Sequence, residues 1–243
     1  MFWKQAGSGK RESKADKMDK EARKRACEKF VSEVPILKVI VLDLDGVLFD
    51  SREANIQFYS HIMETIGGPP VREDQHEFIH MHPVRESLIY LTGGEGRDFD
   101  RALDYFKTID FGPFNGYLRC EPGVVAFLKR AGKHFHTALA TNRTVSTLEL
   151  LRQFNLRGYF DLVVCASDVR NPKPHPETME KILAAFGAVP EHILYIGDSK
   201  VDEELAHRTG VHFISYKNPA LKAELHINHF EDLDCLFPEC SKE

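Results

Sequence analysis

The hydrophobic pattern of this 243-residue chain changes character three times. Residues 4–29 are a polar, Lys/Arg-rich run with few large apolar side chains; 5–10 read as flexible and 16–29 as a solvated helix with intermixed charges. A nearly unbroken Val/Ile/Leu run over 36–44 then predicts a strand buried on both faces, as in a parallel sheet. Next the period becomes helical. Ile56, Tyr59, Ile62, Met63 and Ile66 share one helix face, and Gly67-Gly68-Pro69-Pro70 stops that helix. Phe78, Val84, Leu88 and Leu91 predict a second helix interrupted near Pro83, and Phe99, Leu103 and Phe106 a third. Residues 52–115 therefore read as an all-helical insert with its own small core. From Pro122 onward helices (122–131, 144–154 with Leu148 and Leu151 on one face, 176–186, 201–208) alternate with strands (135–140, 160–165, 193–196, 211–214), and a short helix is expected near 229–233. Such alternation predicts an α/β fold, a doubly wound parallel sheet with helices on both faces.

Composition changes this picture little. With 42% hydrophobic and 28% charged residues and a mean hydropathy of -0.33, the chain is an ordinary globular one, with no apolar run approaching a membrane span. The start is charged from Lys4 and has no apolar signal core, so no secretory signal is expected. Five cysteines (Cys27, Cys120, Cys165, Cys235, Cys240) form no Cys-x-x-Cys pair, which predicts reduced thiols in a cytoplasmic protein. Charge is uneven. Residues 1–34 carry ten Lys/Arg against six Asp/Glu, and the remainder 22 against 31. The acidic body argues against nucleic-acid binding. Met1-Phe2-Trp3 has no continuing apolar face that would hold a membrane surface. The basic extension, 1–34, offers little to bury, and a chain starting at Val34 is expected to fold and keep its activity.

The chemistry concentrates where strands end, which is where doubly wound sheets place ligands. The first strand ends in Asp43-Leu44-Asp45-Gly46. Two neighbouring carboxylates at the end of a buried strand repel each other and resist desolvation, and a divalent cation relieves both penalties. The second strand ends in Thr141-Asn142-Arg143, and a later one in Gly197-Asp198-Ser199-Lys200-Val201-Asp202. Lys173 stands among three prolines that restrict its backbone, Pro172, Pro174 and Pro176. Carboxylates, a hydroxyl and a lysine on one rim suit a phosphate held between a divalent ion and an ammonium.

In order, Asp43-Leu44-Asp45-Gly46-Val47, Thr141-Asn142, Lys173 and Gly197-Asp198 with Asp202 resemble the four motifs of the haloacid dehalogenase-like hydrolase superfamily. The nearest likeness is to phosphatases similar to phosphoglycolate phosphatase and to β-phosphoglucomutase. The resemblance covers about residues 36–237. It implies a Rossmann-like core, 35–51 and 116–243, with a helical cap, 52–115, inserted between the first two motifs. It further implies a Mg²⁺-dependent phosphatase acting on a small phosphorylated metabolite, as a monomer or homodimer. By resemblance Asp43 is the nucleophile, Asp45 the general acid/base, Thr141 a donor to the transferring phosphoryl group and Asn142 a substrate contact. Lys173 neutralises phosphate, Asp198 completes a Mg²⁺ shell with Asp43 and the Asp45 carbonyl, and Asp202 orients the site. In the cap, His82 and Arg85 are the substrate-binding candidates, while His61 and His76 read as bystanders.

Each group also has a plainer reading. Asp198 and Asp202 fit helix N-terminal acids, Thr141 an N-cap, and Lys173 a solvated turn lysine. His82 fits a helix cap and Arg85 a surface position, and Arg143 reads as a helix-start surface residue rather than a ligand. A phosphomutase shares all four motifs, and a phosphate-binding module without catalysis shares the fold. A dehalogenase lacks the second aspartate that Asp45 supplies, and a phosphonatase needs a cap lysine near the first motif.

Overall fold

The computed structural model describes residues 14–34, 36–143 and 146–237. In chain order, α1 (Lys14–Glu33) leads into β1 (Val39–Leu42), and a short strand, β2 (Phe49–Asp50), ends the first pass through the core. Four helices follow: α2 (Arg52–Thr65), α3 (His76–Met81), α4 (Val84–Thr92) and α5 (Arg97–Phe106). The chain returns through β3 (Arg119–Cys120). It then alternates through α6 (Val124–His134), β4 (His136–Ala140), α7 (Ser146–Gln153), β5 (Leu162–Val164), α8 (Glu177–Phe186), β6 (Ile193–Gly197), α9 (Lys200–Thr209), β7 (His212–Tyr216) and β8 (Leu225–Ile227).

The main sheet is parallel, in the order β5-β4-β1-β6-β7-β8. Strand order reverses at β1, whose Leu42 is in register with Leu139 on one side and Ile196 on the other. A crevice at the carboxyl ends of β1, β4 and β6 follows from that reversal. All four β1 side chains are fully buried. Ile40 and Leu42 join Leu139, Ile196 and Tyr216 on the face covered by α6 and α7; Val39 and Val41 join Ala138, Tyr195 and Phe213 on the face covered by α8 and α9.

The helical insert has its own core around Phe58, Ile62, Met63, Leu88 and Phe99. β2 and β3, through which the chain leaves the sheet and comes back, pair antiparallel, with Asp50 opposite Arg119. β1 is shorter than the apolar run, because Ile36 is exposed before the sheet begins. On α7 it is Leu150 and Leu151 that turn inward, with Leu148 outside. β8 was not predicted, since three residues carry too little pattern to read. The last helix is a 3₁₀ turn over Phe230–Leu236.

The N-terminal segment departs most from expectation. Cys27, Phe30 and Val34 are buried in the core next to Phe230, Leu233 and Leu236. Arg23 Nε reaches both oxygens of Asp232 at 3.0 Å, and Cys27 forms a disulfide with Cys235. The expectation of a solvated helix with little to bury is thereby corrected: one apolar face, sparse in the sequence, is enough to dock α1. The expectation of five reduced thiols is corrected too. Only Cys120 and Cys165 are free among the described residues, and Cys240 lies outside them. Because lasting disulfides belong mainly to oxidising compartments, the cysteines no longer support a cytoplasmic location.

A bridge across 208 residues restricts the unfolded chain strongly, and losing a native bridge typically costs about 2–5 kcal/mol. Cys27→Ser is therefore expected to lower Tm by roughly 5–15 °C, and reductant to shift the wild type by a similar amount. Calorimetry with and without dithiothreitol checks this. A wild-type Tm indifferent to reductant would show that the bridge contributes nothing.

Candidate active site

Asp43 is the first residue past β1, and its N–H donates to the Ile196 carbonyl at 2.9 Å, so the sheet ladder itself fixes its position. Gly46 turns the chain at a φ of 76°, in the left-handed region. A Cβ there would lie 1.8 Å from Asp198 Oδ2, so only glycine lets the Asp198 carboxylate settle against this loop. Oxygens of Asp43, Asp198 and Asp202 lie within 4.8 Å of one another.

Lys173 enters this cluster from the loop before α8, which has a cis peptide between Lys173 and Pro174. Its ammonium donates to Asp43 Oδ1 at 2.8 Å, Asp202 Oδ1 at 2.7 Å, the Ala140 carbonyl at 2.9 Å and Tyr195 Oη at 3.0 Å. It is a buried lysine held by buried carboxylates, not a solvated turn residue. Asp202 is saturated. Besides Lys173, Oδ1 accepts from the Tyr195 hydroxyl, and Oδ2 accepts from the Ser199 N–H at 3.1 Å and hydroxyl at 2.5 Å.

The electrostatics divide the carboxylates into two kinds. Burial opposes the charge of Asp202, but Lys173, Ser199 and Tyr195 hold its carboxyl below the usual range. Burial pushes Asp43 up to about 7 despite the pull of Lys173, with Asp202 adding repulsion. Asp198 is raised well above the ordinary value by burial and by the charges of Asp202 and Asp43. Burial works against the Lys173 ammonium, yet Asp202 and Asp43 hold it firmly protonated. Asp43 and Asp198 thus face each other as under-compensated acids. An all-oxygen donor pair of this kind fits a hard divalent cation such as Mg²⁺, which lowers the cost of both charges.

A cavity of about 450 Å³ opens above the cluster, between sheet and insert. Its wall includes Asp43, Asp45, Thr141, Asn142, Lys173 and Asp198 from the sequence-derived set, while Asp202 lies behind Lys173. Thr141 Oγ1 accepts from the Arg143 N–H at 3.0 Å, and the Asn142 amide donates to the Lys173 carbonyl at 2.9 Å.

Three residues stand elsewhere than expected. Arg143 is turned inward: Nε and Nη2 grip both oxygens of Asp45 at 2.7 and 2.9 Å, and Nη1 donates to Asn115 Oδ1 at 2.9 Å. His82 does not reach the cavity; its ring stacks on Phe78 at 3.8 Å and its Nδ1 bonds the Phe78 carbonyl at 2.9 Å. Arg85 points the other way along α4, pairing with Glu95 at 2.5 Å over the Phe99 ring. Both cap candidates are therefore corrected, because local partners on the insert satisfy them.

The insert instead supplies Asn55, Phe58 and Tyr59 from α2 and His80 from α3, and Phe106, Phe111, Phe114 and Asn115 also line the wall. Asn55 Nδ2 lies 3.3 Å from His80 Nδ1, and burial pushes that imidazole below its usual range. The only sequence signal for these was the i, i+3 and i+4 spacing of Asn55, Phe58 and Tyr59 on one helix.

Comparison with known proteins agrees with this geometry. The haloacid dehalogenase-like hydrolase family matches residues 40–216. A phosphorylated carbohydrates phosphatase of Thermotoga maritima is 33% identical over 183 residues, covering 72% of this chain and 82% of that one. A phosphoglycolate phosphatase of Rhodobacter capsulatus is 28% identical over 211 residues, 81% of this chain and 94% of that one. Among solved structures, a subfamily IA hydrolase of the same superfamily from Geobacter sulfurreducens superposes with a TM-score of 0.70 at 36% identity, covering 83% and 97% of the two chains.

Proposed function

The chain belongs to the haloacid dehalogenase-like hydrolases, and from that premise we propose that it is a Mg²⁺-dependent phosphatase passing the phosphoryl group of a small phosphomonoester to Asp43 and then to water. The observation that carries this reading is the convergence of Lys173 on Asp43 and Asp202 beneath an open cavity also lined by Thr141 and Asp198. A carboxylate fixed beside an ammonium, with a hydroxyl across from it, is arranged for in-line attack on phosphorus.

In the first half-reaction an Asp43 oxygen bonds to phosphorus as the bond to the leaving oxygen breaks. Asp45 gives that oxygen its proton, once Arg143 has released one of the two oxygens it grips. In the second, Asp45 takes a proton from water, the water oxygen bonds to phosphorus, and Asp43 departs as carboxylate. Thr141 donates to the phosphoryl oxygens, and Lys173 offsets their charge without losing its own proton. Asn142 holds the Lys173 backbone in place through its amide, and Asp202 fixes the ammonium. Mg²⁺ would be held by Asp43, Asp198 and the Asp45 carbonyl, and when bound it withdraws charge from the phosphoryl oxygens. In the same reading residues 52–115 are a lid on the core formed by 35–51 and 116–243, closing to exclude water. The partner is a small phosphorylated molecule. No helix among the described residues is long and apolar enough to cross a membrane.

Hydrolysis of p-nitrophenyl phosphate with Mg²⁺, and its loss in EDTA, tests this. Asp198→Asn is expected to fold normally, lose about 100-fold or more in kcat and need more Mg²⁺ for half-saturation. Ca²⁺ is expected to inhibit, since its longer bonds and larger shell spoil in-line geometry. Full activity in EDTA would contradict the proposal.

A further inference from the structure

The floor of the cavity is ionic, but its roof is aromatic. Phe58 on α2 is the centre of that roof: it stacks on Phe111 (5.2 Å, 22°) and meets Phe114 (5.5 Å) and Phe106 (6.0 Å) edge-on. All four rings line the cavity, and Phe111, 44% exposed, stands at its mouth. A large aromatic ring left that open beside a cavity is an unfilled apolar contact surface.

The polar groups of the roof are partly engaged. Asn55 and His80 pair with each other, and Asn115 accepts from Arg143. The strong cations lining the cavity are Lys173 and Arg143, both on the floor and both gripping carboxylates. Among the described residues the insert brings no lysine or arginine to the wall. A leaving group bearing a carboxylate would therefore enter an aromatic roof with no cation to meet it, at a desolvation cost. A polyol would meet a few polar atoms on Asn55, His80 and Asn115 but also four phenyl rings that offer it no hydrogen bond. The cavity, about 450 Å³, also exceeds what a phosphate with a two-carbon leaving group fills.

Building on the phosphatase reading, we propose that the substrate is a phosphomonoester whose leaving group carries an uncharged flat ring. The phosphate sits on the Asp43–Lys173 floor and the ring lies against Phe111 and Phe114 under Phe58. Ring faces and edges then make the offset and edge-on contacts that aromatic groups favour. Esters with an anionic leaving group, phosphoglycolate included, are poor substrates of this chain.

The test compares kcat/KM of the full chain with Mg²⁺ on benzyl phosphate, ethyl phosphate and 2-phosphoglycolate. All three release an alkyl oxygen, so the ring and the charge are what differ. Benzyl phosphate is expected to exceed ethyl phosphate by about 10–100-fold, with phosphoglycolate no better than ethyl phosphate. Phe111→Ala, at a half-open position, is expected to cost benzyl phosphate at least about tenfold more than ethyl phosphate; Phe111→Leu, which keeps an apolar side chain there, shows the same direction if the alanine variant folds poorly. Ethyl phosphate turned over as well as benzyl phosphate, phosphoglycolate turned over best, or an equal loss on both esters in the Phe111 variants would overturn the substrate class while leaving the phosphatase intact. If none of the esters is hydrolysed, the phosphatase reading itself fails. The ring preference is then read from calorimetric affinities for benzylphosphonate and ethylphosphonate, and equal values overturn it.

Discussion

Asp43→Asn is expected to leave a folded protein whose phosphatase activity has fallen by at least about 10⁴-fold. The amide matches the carboxylate in size and still meets Lys173, which at Asp43 Oδ1 stands 2.8 Å away. Folding is not at risk, because burial already pushes the Asp43 carboxyl up to about 7, so removing this charge relieves a desolvation cost. Lys173 keeps Asp202, the Ala140 carbonyl and Tyr195 as partners. What disappears is the electron pair that attacks phosphorus, and no neighbouring group stands in the same place. Denaturation and kcat measured on the same preparation separate the two effects. A loss in activity matched by a loss in folded fraction would point to a structural role.

Lys173→Met is expected to damage both properties. Its ammonium is the one cation shared by two buried carboxylates, Asp43 and Asp202. Removing one member of a buried ion cluster costs about 3–5 kcal/mol, because charge is left without compensation. Activity is expected to fall about 10³-fold or more, as phosphate then approaches bare carboxylates. The penalty depends on pH in a definite direction. In the wild type Asp202 is held below its ordinary range, so it contributes stability above its unfolded pKa of about 4, lost as pH falls through the folded value. Without Lys173, burial pushes Asp202 upward instead and raises Asp43 further. Raised acids leave the fold unharmed below about pH 4 and weaken it progressively as pH rises toward neutrality. Urea denaturation in EDTA at about pH 5 and about pH 8 should therefore show the larger difference from wild type at the higher pH. An equal penalty at both would assign Lys173 a packing role only.

The parts of this architecture that were legible in the sequence are those set by local pattern. The apolar run leading to Leu42 marked the central strand, and strand ends marked where Asp43, Asp45, Thr141 and Asp198 would meet, since parallel strands share one carboxyl edge. Lys173 was legible through its prolines. What escaped was set by partners distant in sequence. Arg143 looked like a surface residue because Asp45 is 98 residues away, and only the fold brings the two together. Cys27, Phe30 and Val34 recur at helical spacing, but three apolar positions beside so charged a run are too sparse to stand out, and Cys235 is 208 residues distant from Cys27. His82 and Arg85 were chosen for their chemistry, yet one is consumed by Phe78 and the other by Glu95 on the insert itself. The aromatic roof shows the same limit. Phe58, Phe106, Phe111 and Phe114 look like ordinary core residues until the insert is seen facing the sheet.

The route of the oxygen atom tests the central claim, chemistry at phosphorus rather than at carbon, most directly. If Asp43 becomes an aspartyl-phosphate, water attacks phosphorus next and its oxygen leaves in phosphate, while the carboxylate keeps its own two oxygens. Attack on carbon would instead form an ester that water opens at the carboxyl carbon, leaving the new oxygen in the aspartate. Turnover in ¹⁸O-water, followed by mass spectrometry of the released phosphate and of the peptide containing Asp43, distinguishes the two. The account predicts label in phosphate and none in the peptide; label in Asp43 would contradict it, while a sugar phosphate isomerised with no label in either would keep attack on phosphorus and make the chain a mutase rather than a hydrolase.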